Sequence, residues 1–146
     1  MNTEWYVAEL VMEITVEGDS RNVVHQDLVL VRADSADEAY EKAIKFGKDA
    51  ETSYGNPSGK AVEHKFRGLS KLEELNEELE DGAEITLRSS VGVSEEVLRS
   101  LVLPKVRLSL FRPPEQAEGP DYSSGEVLAI LEREYGIKRL ETEPSQ

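Results

Sequence analysis

Cysteine is absent from all 146 residues of the chain. Its absence excludes disulfide bonds, thiol catalysis, and zinc or iron–sulfur centres held by cysteine. Histidine is scarce too, because His25 and His64 are the only two. Neither has a second histidine at the H-x-H or H-x-x-x-H spacing of many metal sites, and no phosphate-loop or nucleophile-elbow motif is present. The sequence therefore predicts no cofactor and carries no catalytic signature.

Long apolar runs are also missing. The first residues, MNTEWYVAELVMEITVEG, lack a basic segment, and Glu9 and Glu13 interrupt their apolar side chains, so we expect no signal peptide. No run approaches the roughly 20 apolar residues that a membrane-spanning helix needs. The sequence therefore predicts a cytoplasmic protein.

The chain has few basic residues relative to acidic ones. The 17 basic residues face 30 acidic ones, which gives a formal net charge of −13. Such a surface repels the phosphates of nucleic acids and of anionic membranes, so we expect neither as a partner. A basic protein partner is compatible with this charge, because complementary charge accelerates encounter. The plainer interpretation is that the charge keeps the protein soluble.

Residues 4–16 alternate in the manner of a half-buried strand. Every even position from Tyr6 to Val16 is apolar, so we expect the even face to point into the core. A short polar turn with Gly18 then leads to a second apolar segment at 23–33, which predicts an antiparallel β-hairpin. The run LVLV in this second strand predicts burial on both faces and a central place in the sheet.

The sequence from Ser35 predicts the main helix, at about residues 35–51. Ser35 and Glu38 form a capping box, in which each side chain accepts from a backbone amide at the helix start. Small residues recur on one stripe, among them Ala39, Ala43 and Gly47, so we expect this helix to approach the sheet closely.

The segment after this helix is read as a turn at 54–59 and a half-exposed strand at 60–67. Residues 70–80 favour a short acidic helix, because Ser70 and Glu73 make a second capping box and leucines follow at helical spacing. The alternative is an extended segment that turns at Asp81-Gly82. In either case residues 83–90 read as a strand.

The last 56 residues differ in character from the rest. They predict a short helix capped by Ser94, a strand at 105–111, a proline-rich linker at 112–123, and a final helix that begins at Ser123.

We therefore expect an α+β fold with two parts. A core domain at 4–90 has an antiparallel sheet of four or five strands, an N-terminal β-hairpin and the main amphipathic helix on one face. A C-terminal helical extension at 91–146 packs on that core.

Several short motifs carry a family resemblance, and their order and spacing matter more than any one of them. They are Trp5, Ala33-x-Ser35-x-x-Glu38-Ala39, Gly47-Lys48, Tyr54-x-Asn56-x-x-Gly59, Phe66-x-Gly68-Leu69 and Asp81-Gly82-Ala83-Glu84. Over residues 4–90 the chain resembles the small bacterial family known as domain of unknown function 4288. The resemblance implies a small α+β domain of bacterial origin, and it implies no activity, substrate or catalytic residue.

The residues support three classes of function. The favoured one is a non-catalytic protein-interaction module, with self-association included and with an immunity-type protein that binds a basic toxin as a special case. Its interface candidates combine exposed apolar and charged side chains: Trp5, Val7, Glu9, Val11, Lys65 and Arg67. The second is a metal- or histidine-dependent enzyme that uses His25 and His64 with Glu9 or Asp27. The third is a sensor with a ligand cleft between the core and the C-terminal helix.

Overall fold

The computed structural model describes residues 4–113 and 118–136 of the chain. Its elements, in chain order, are strands β1 (Glu4–Val16) and β2 (Val23–Ala33), helix α1 (Ala36–Asp49), strands β3 (Thr52–Gly55) and β4 (Ala61–Glu74), helix α2 (Glu95–Leu101), a 3₁₀ turn (Lys105–Arg107) and helix α3 (Gly125–Tyr135). These elements form two compact units. The first runs to Thr86 and resumes at Glu118, and the second begins at Leu87.

All the strands belong to one antiparallel sheet in the order β2-β1-β4-β3. β1 pairs with β2 in unbroken register from Glu4 to Ile14. On its other side β1 pairs with β4, with one bulge after Glu9 and another after Val11. The predicted α+β class and the N-terminal hairpin are confirmed, and the four strands observed agree with the predicted four or five.

Helix α1 covers one face of this sheet, which we call the inner face. The even residues Tyr6, Ala8 and Leu10 of β1 are buried there against Ala39 and Ala43 of the helix. Alanine side chains let the helix backbone lie close to the strands, as the small-residue stripe predicts. Ser35 is confirmed as the cap, because its Oγ accepts from the amide of Glu38 at 3.1 Å. The Glu38 carboxylate accepts from the Asp34 amide at 3.2 Å and not from that of Ser35.

The position expected for β2 is wrong, because this strand is at the edge of the sheet. Val31 is buried on the inner face, but Leu28 and Leu30 on the other face are 48% and 43% exposed. A continuous apolar run resembles a doubly buried strand, but it takes that position only when another layer covers its second face.

The helix favoured for residues 70–80 is also wrong, since β4 continues to Glu74 and nothing helical follows before α2 in the described chain. Leu69 and Leu72 pack against the inner core as strand residues. The bulges in the pairing with β1 shift the alternation along β4, which hides the two-residue period of a strand. The strand expected at 83–90 is absent from the described residues, and β3 lies partly where a turn was expected.

The C-terminal elements differ from expectation in detail. The predicted strand at 105–111 is wrong, because Lys105–Arg107 is a 3₁₀ turn. Helix α2 follows its predicted cap Ser94, whereas α3 is capped by Ser124 and not by Ser123. Residues 137–146 lie outside the described residues.

The second unit has an unusual composition for this chain. No residue of α2 is buried, and large apolar side chains such as Leu101, Val106 and Leu110 are exposed. No acidic residue occurs between Glu96 and Glu115, an interval that holds four basic residues.

We predict that Gly47→Ala destabilises the protein, although alanine is the better helix former by about 1 kcal/mol. A Cβ at this position would run into the aromatic ring of Phe66. Overpacking of this kind typically costs about 1–3 kcal/mol. Urea unfolding measures the change. Phe66→Leu should recover part of the loss in the Gly47→Ala background, and a double variant with no recovery would contradict the proposed contact.

Candidate interaction surface

The face of the sheet opposite α1, which we call the outer face, collects the predicted interface residues. The alternation of β1 places Trp5, Val7, Glu9 and Val11 on this face. Lys65 pairs with Glu13, and the guanidinium of Arg67 lies 3.9 Å from the same carboxylate. All six predicted interface residues therefore share one face.

The exposed apolar side chains of the outer face are concentrated on β2. Val24, Leu28 and Leu30 are 54%, 48% and 43% exposed. Val7 of β1 is buried, so the expectation that its side chain is exposed is wrong. The predicted interface does not include these three β2 residues. For Leu28 and Leu30 the reason is that the LVLV run predicts burial on both faces. Their alternation within β2 is the sequence signal that could have identified them.

The outer face is electrically balanced, unlike the rest of the chain. Its acidic residues are Glu9, Glu13, Glu63 and Glu73, and its basic residues are Arg32, Lys65, Arg67 and Lys71. The formal charge of −13 therefore lies entirely on other parts of the chain. A partner at this face meets an apolar strip among balanced charges, and does not meet a strongly acidic surface.

Polar contacts hold the charged side chains of this face in place. Glu9 Oε1 accepts from Ser70 Oγ at 2.6 Å and from Gln26 Nε2 at 2.9 Å, so one carboxylate links three strands. The Arg32 guanidinium lies 5.8 Å from the centroid of the Trp5 ring, within cation–π range. Fixed side chains lose little conformational entropy on binding, which favours recognition.

The free edge of β2 adjoins this surface. β2 is eleven residues long, and in the part of the chain that the structure describes no strand lies beyond it. A side-chain contact caps this strand near its end, where Lys42 Nζ donates to the Arg32 carbonyl at 2.6 Å. By contrast, the opposite edge strand β3 has only four residues.

Residues 5–86 match the family model described as Domain of unknown function (DUF4288), and this match covers more than half of the chain. The chain belongs to the DUF4288 family. The match confirms the resemblance seen in the sequence, and it contains the four strands and α1. Comparisons with curated proteins and with solved structures found no match. No helix among the described residues is long and apolar enough to cross a membrane.

Residues 118–136 lie beyond the DUF4288 match but belong to the same compact unit. The Tyr54 hydroxyl donates to the carbonyl oxygen of Tyr122. Its oxygen also lies 2.8 Å from His64 Nε2. Because the single phenolic proton goes to the carbonyl, His64 must be the donor in the second bond and carries its proton on Nε2.

Both histidines therefore contact this C-terminal segment on the inner side of the DUF4288 sheet. The His25 ring meets the Tyr122 ring edge-on, with centroids 5.5 Å apart. Burial lowers the pKa of His64 below its ordinary value of 6.5, and His25 lowers it further, against an opposing effect of Asp27. Burial raises the pKa of Tyr54 above 10.0, and Tyr122 and Asp121 add to that rise. The pair is neutral at pH 7, so it provides neither a phenolate nor an imidazolium.

The structure brings together part of the histidine set suggested by the sequence, and it separates Glu9 from that set. His25, Asp27 and His64 are on the inner face, whereas Glu9 is on the outer face. Among the described residues, no group of three histidine or carboxylate side chains is placed to hold a metal ion. The hydrogen bonds give His64 and Tyr54 a structural role, because they attach the C-terminal segment to the DUF4288 sheet.

A buried amide adds a second attachment point. Asn56 is 7% exposed, and its Nδ2 donates to the Asp121 carbonyl at 3.0 Å. Its Oδ1 accepts from the amides of Ser58 at 3.0 Å and Lys60 at 2.9 Å, which fixes the turn. Beside it lies a cleft of about 490 Å³ between this turn and α3. Tyr122 and Asp121 are more than 60 residues from their partners in sequence, so local patterns do not reveal them.

We predict that Asn56→Ala loosens both the turn and the C-terminal segment. The substitution removes the hydrogen bonds of Asn56 to the Asp121 carbonyl and to two turn amides, at a cost of about 1–3 kcal/mol. Urea unfolding measures the stability, and amide hydrogen exchange over 118–136 reports the local effect. The exposed Asn76→Ala is the matched control. Unchanged exchange in the Asn56 variant would show that the amide does not hold the segment.

We predict that acid weakens this attachment through His64. Its folded-state pKa is below the unfolded value, so the unfolded chain binds a proton first as the pH falls from 6.5. The contribution of His64 to the free energy of unfolding is therefore fully present above that pH. It is lost as the pH falls through the folded-state pKa. NMR titration of His64 checks the direction. His25→Gln should raise the His64 pKa, and a pKa above that of an unstructured histidine peptide would contradict the assignment.

Proposed function

We propose that this protein is a non-catalytic protein-interaction module that binds its partner through the outer face and the edge strand β2. The observation that carries the proposal is the exposed apolar strip of Val24, Leu28 and Leu30 beside an unpaired strand edge. Unpaired edges recruit extended protein segments by strand addition, in which backbone hydrogen bonds provide affinity and side-chain positions provide specificity.

The charge pattern supports a partner of a particular kind. An outer face with equal numbers of acids and bases selects an extended segment that is apolar and near neutral. An immunity-type role against a basic toxin fits the charge of the whole chain, but that charge lies away from this face. The balanced face therefore favours the general interaction role over the immunity role.

The other two classes have less support. The enzyme proposal loses one of its carboxylates, because Glu9 is separated from the histidines by the sheet. The sensor proposal has a cleft beside α3, and Asn56 on its wall already uses its amide for contacts within the chain. A ligand in this cleft would meet few polar groups that are available for binding. In known ligand sites several polar groups point toward the ligand.

We predict that a photo-crosslinking side chain at Leu30 forms protein adducts when the chain is produced in the cell that encodes it. The outer-face position places the probe at the proposed contact. Lys45, an exposed residue of α1, is the matched control position. Val24→Asp in the Leu30 background should reduce the adducts, because it puts a charge in the apolar strip. Adducts from position 45 without adducts from position 30 would refute the proposal, as would their absence from both.

A further inference from the structure

We propose that the partner at this edge is a second copy of the same chain, with the two β2 strands paired antiparallel about a two-fold axis at Val29. This inference rests on the proposed function, because it names the partner of that same surface. The pairing would extend the sheets of the two copies into one sheet of eight strands.

The first argument is the limited protection of the β2 edge. Edge strands are usually short, or contain proline, lysine or a bulge, and these features prevent pairing with other chains. β2 has eleven residues, VVHQDLVLVRA, and a continuous register with β1. It contains neither proline nor lysine. Its protection is limited to Asp27 on the inner face and to Lys42 of α1, which occupies the Arg32 carbonyl near the end of the strand. The opposite edge strand β3 has four residues, and a short length is itself a protection. A long edge strand with so little protection indicates a strand that is used for pairing.

The second argument is charge. A chain with a net charge of −13 repels copies of itself over most of its surface. β2 carries one acid, Asp27, and one base, Arg32, so it is formally neutral, and the outer face beside it is balanced as well. Repulsion between two copies is therefore weakest at this edge. A second copy also offers a segment that is apolar and near neutral, as the surface requires.

The third argument is register. Residues directly opposite in antiparallel strands point to the same face, so a two-fold axis must place one residue opposite itself. With the axis at Val29, Leu28 faces Leu30 of the partner subunit, and the symmetry repeats this pair. An axis at Leu28 would set Leu30 against glutamine, and an axis at Leu30 would set Leu28 against arginine. The axis at Val29 joins the exposed leucines in one cluster on the outer face.

The absence of cysteine makes this arrangement directly testable. Paired Cα atoms across antiparallel strands are about 4.5–5.5 Å apart, which is within disulfide range. Val29→Cys should therefore cross-link to itself under mild oxidation and form a covalent dimer. Val24→Cys is the matched control, because its two copies would be roughly 33 Å apart at about 3.3 Å per residue. It should remain uncross-linked at the same protein concentration.

Light scattering after size exclusion provides the second measurement. The native chain should show a dimer that dissociates on dilution, and the double variant Leu28→Lys, Leu30→Lys should be monomeric. Leu79→Lys, at a position with 47% exposure, is the control that should leave the dimer intact. Urea unfolding confirms that each variant is folded.

Two results would overturn the inference. A native chain that is monomeric at all concentrations, with Val29→Cys uncross-linked, would exclude a second copy as the partner. Adducts from position 30 to a different protein would then still support the proposed function. A dimer that survives the double lysine variant would place the contact elsewhere on the chain.

Discussion

Strand β1 is hydrogen-bonded along both of its edges, and the rest of the first unit takes its position from that strand. Pairing with β2 and β4 fixes their registers, and the register fixes which side chains reach each face. The even residues of β1 pack against α1. The odd residues of β1 therefore lie on the outer face. The surface available to a partner is therefore set by the same alternation that builds the core.

The two faces of the sheet have different chemical roles as a consequence. On the inner side the polar groups near the histidines are used for internal hydrogen bonds, from Tyr54 to His64 and Tyr122. On the outer side acidic and basic side chains are equal in number, and apolar side chains of β2 remain accessible. The inner face thus holds the unit together, and the outer face is the side with unused binding capacity.

Sequence patterns within one segment predict the features that depend only on residues close together in the chain. The hairpin, the Ser35 cap, the small-residue stripe of α1 and the common face of Trp5 to Val11 all follow from spacing along one segment. The edge position of β2 depends instead on what covers its far side, and the length of β4 depends on bulges in its pairing with β1. The attachment through Tyr122 joins residues 68 apart in sequence. No periodicity records such distant contacts.

The position of the second unit in the chain has a consequence for its evolution. It is an insertion, because the chain leaves the first unit at Thr86 and returns to it at Glu118. The returning segment is held by hydrogen bonds from Tyr54 and Asn56, so the covalent path between the two points is not what anchors it. Doubling the length of such a connection costs only about 0.6 kcal/mol of closure entropy. The insertion can therefore lengthen, shorten or be exchanged for another sequence while the sheet and its attached helix keep their structure.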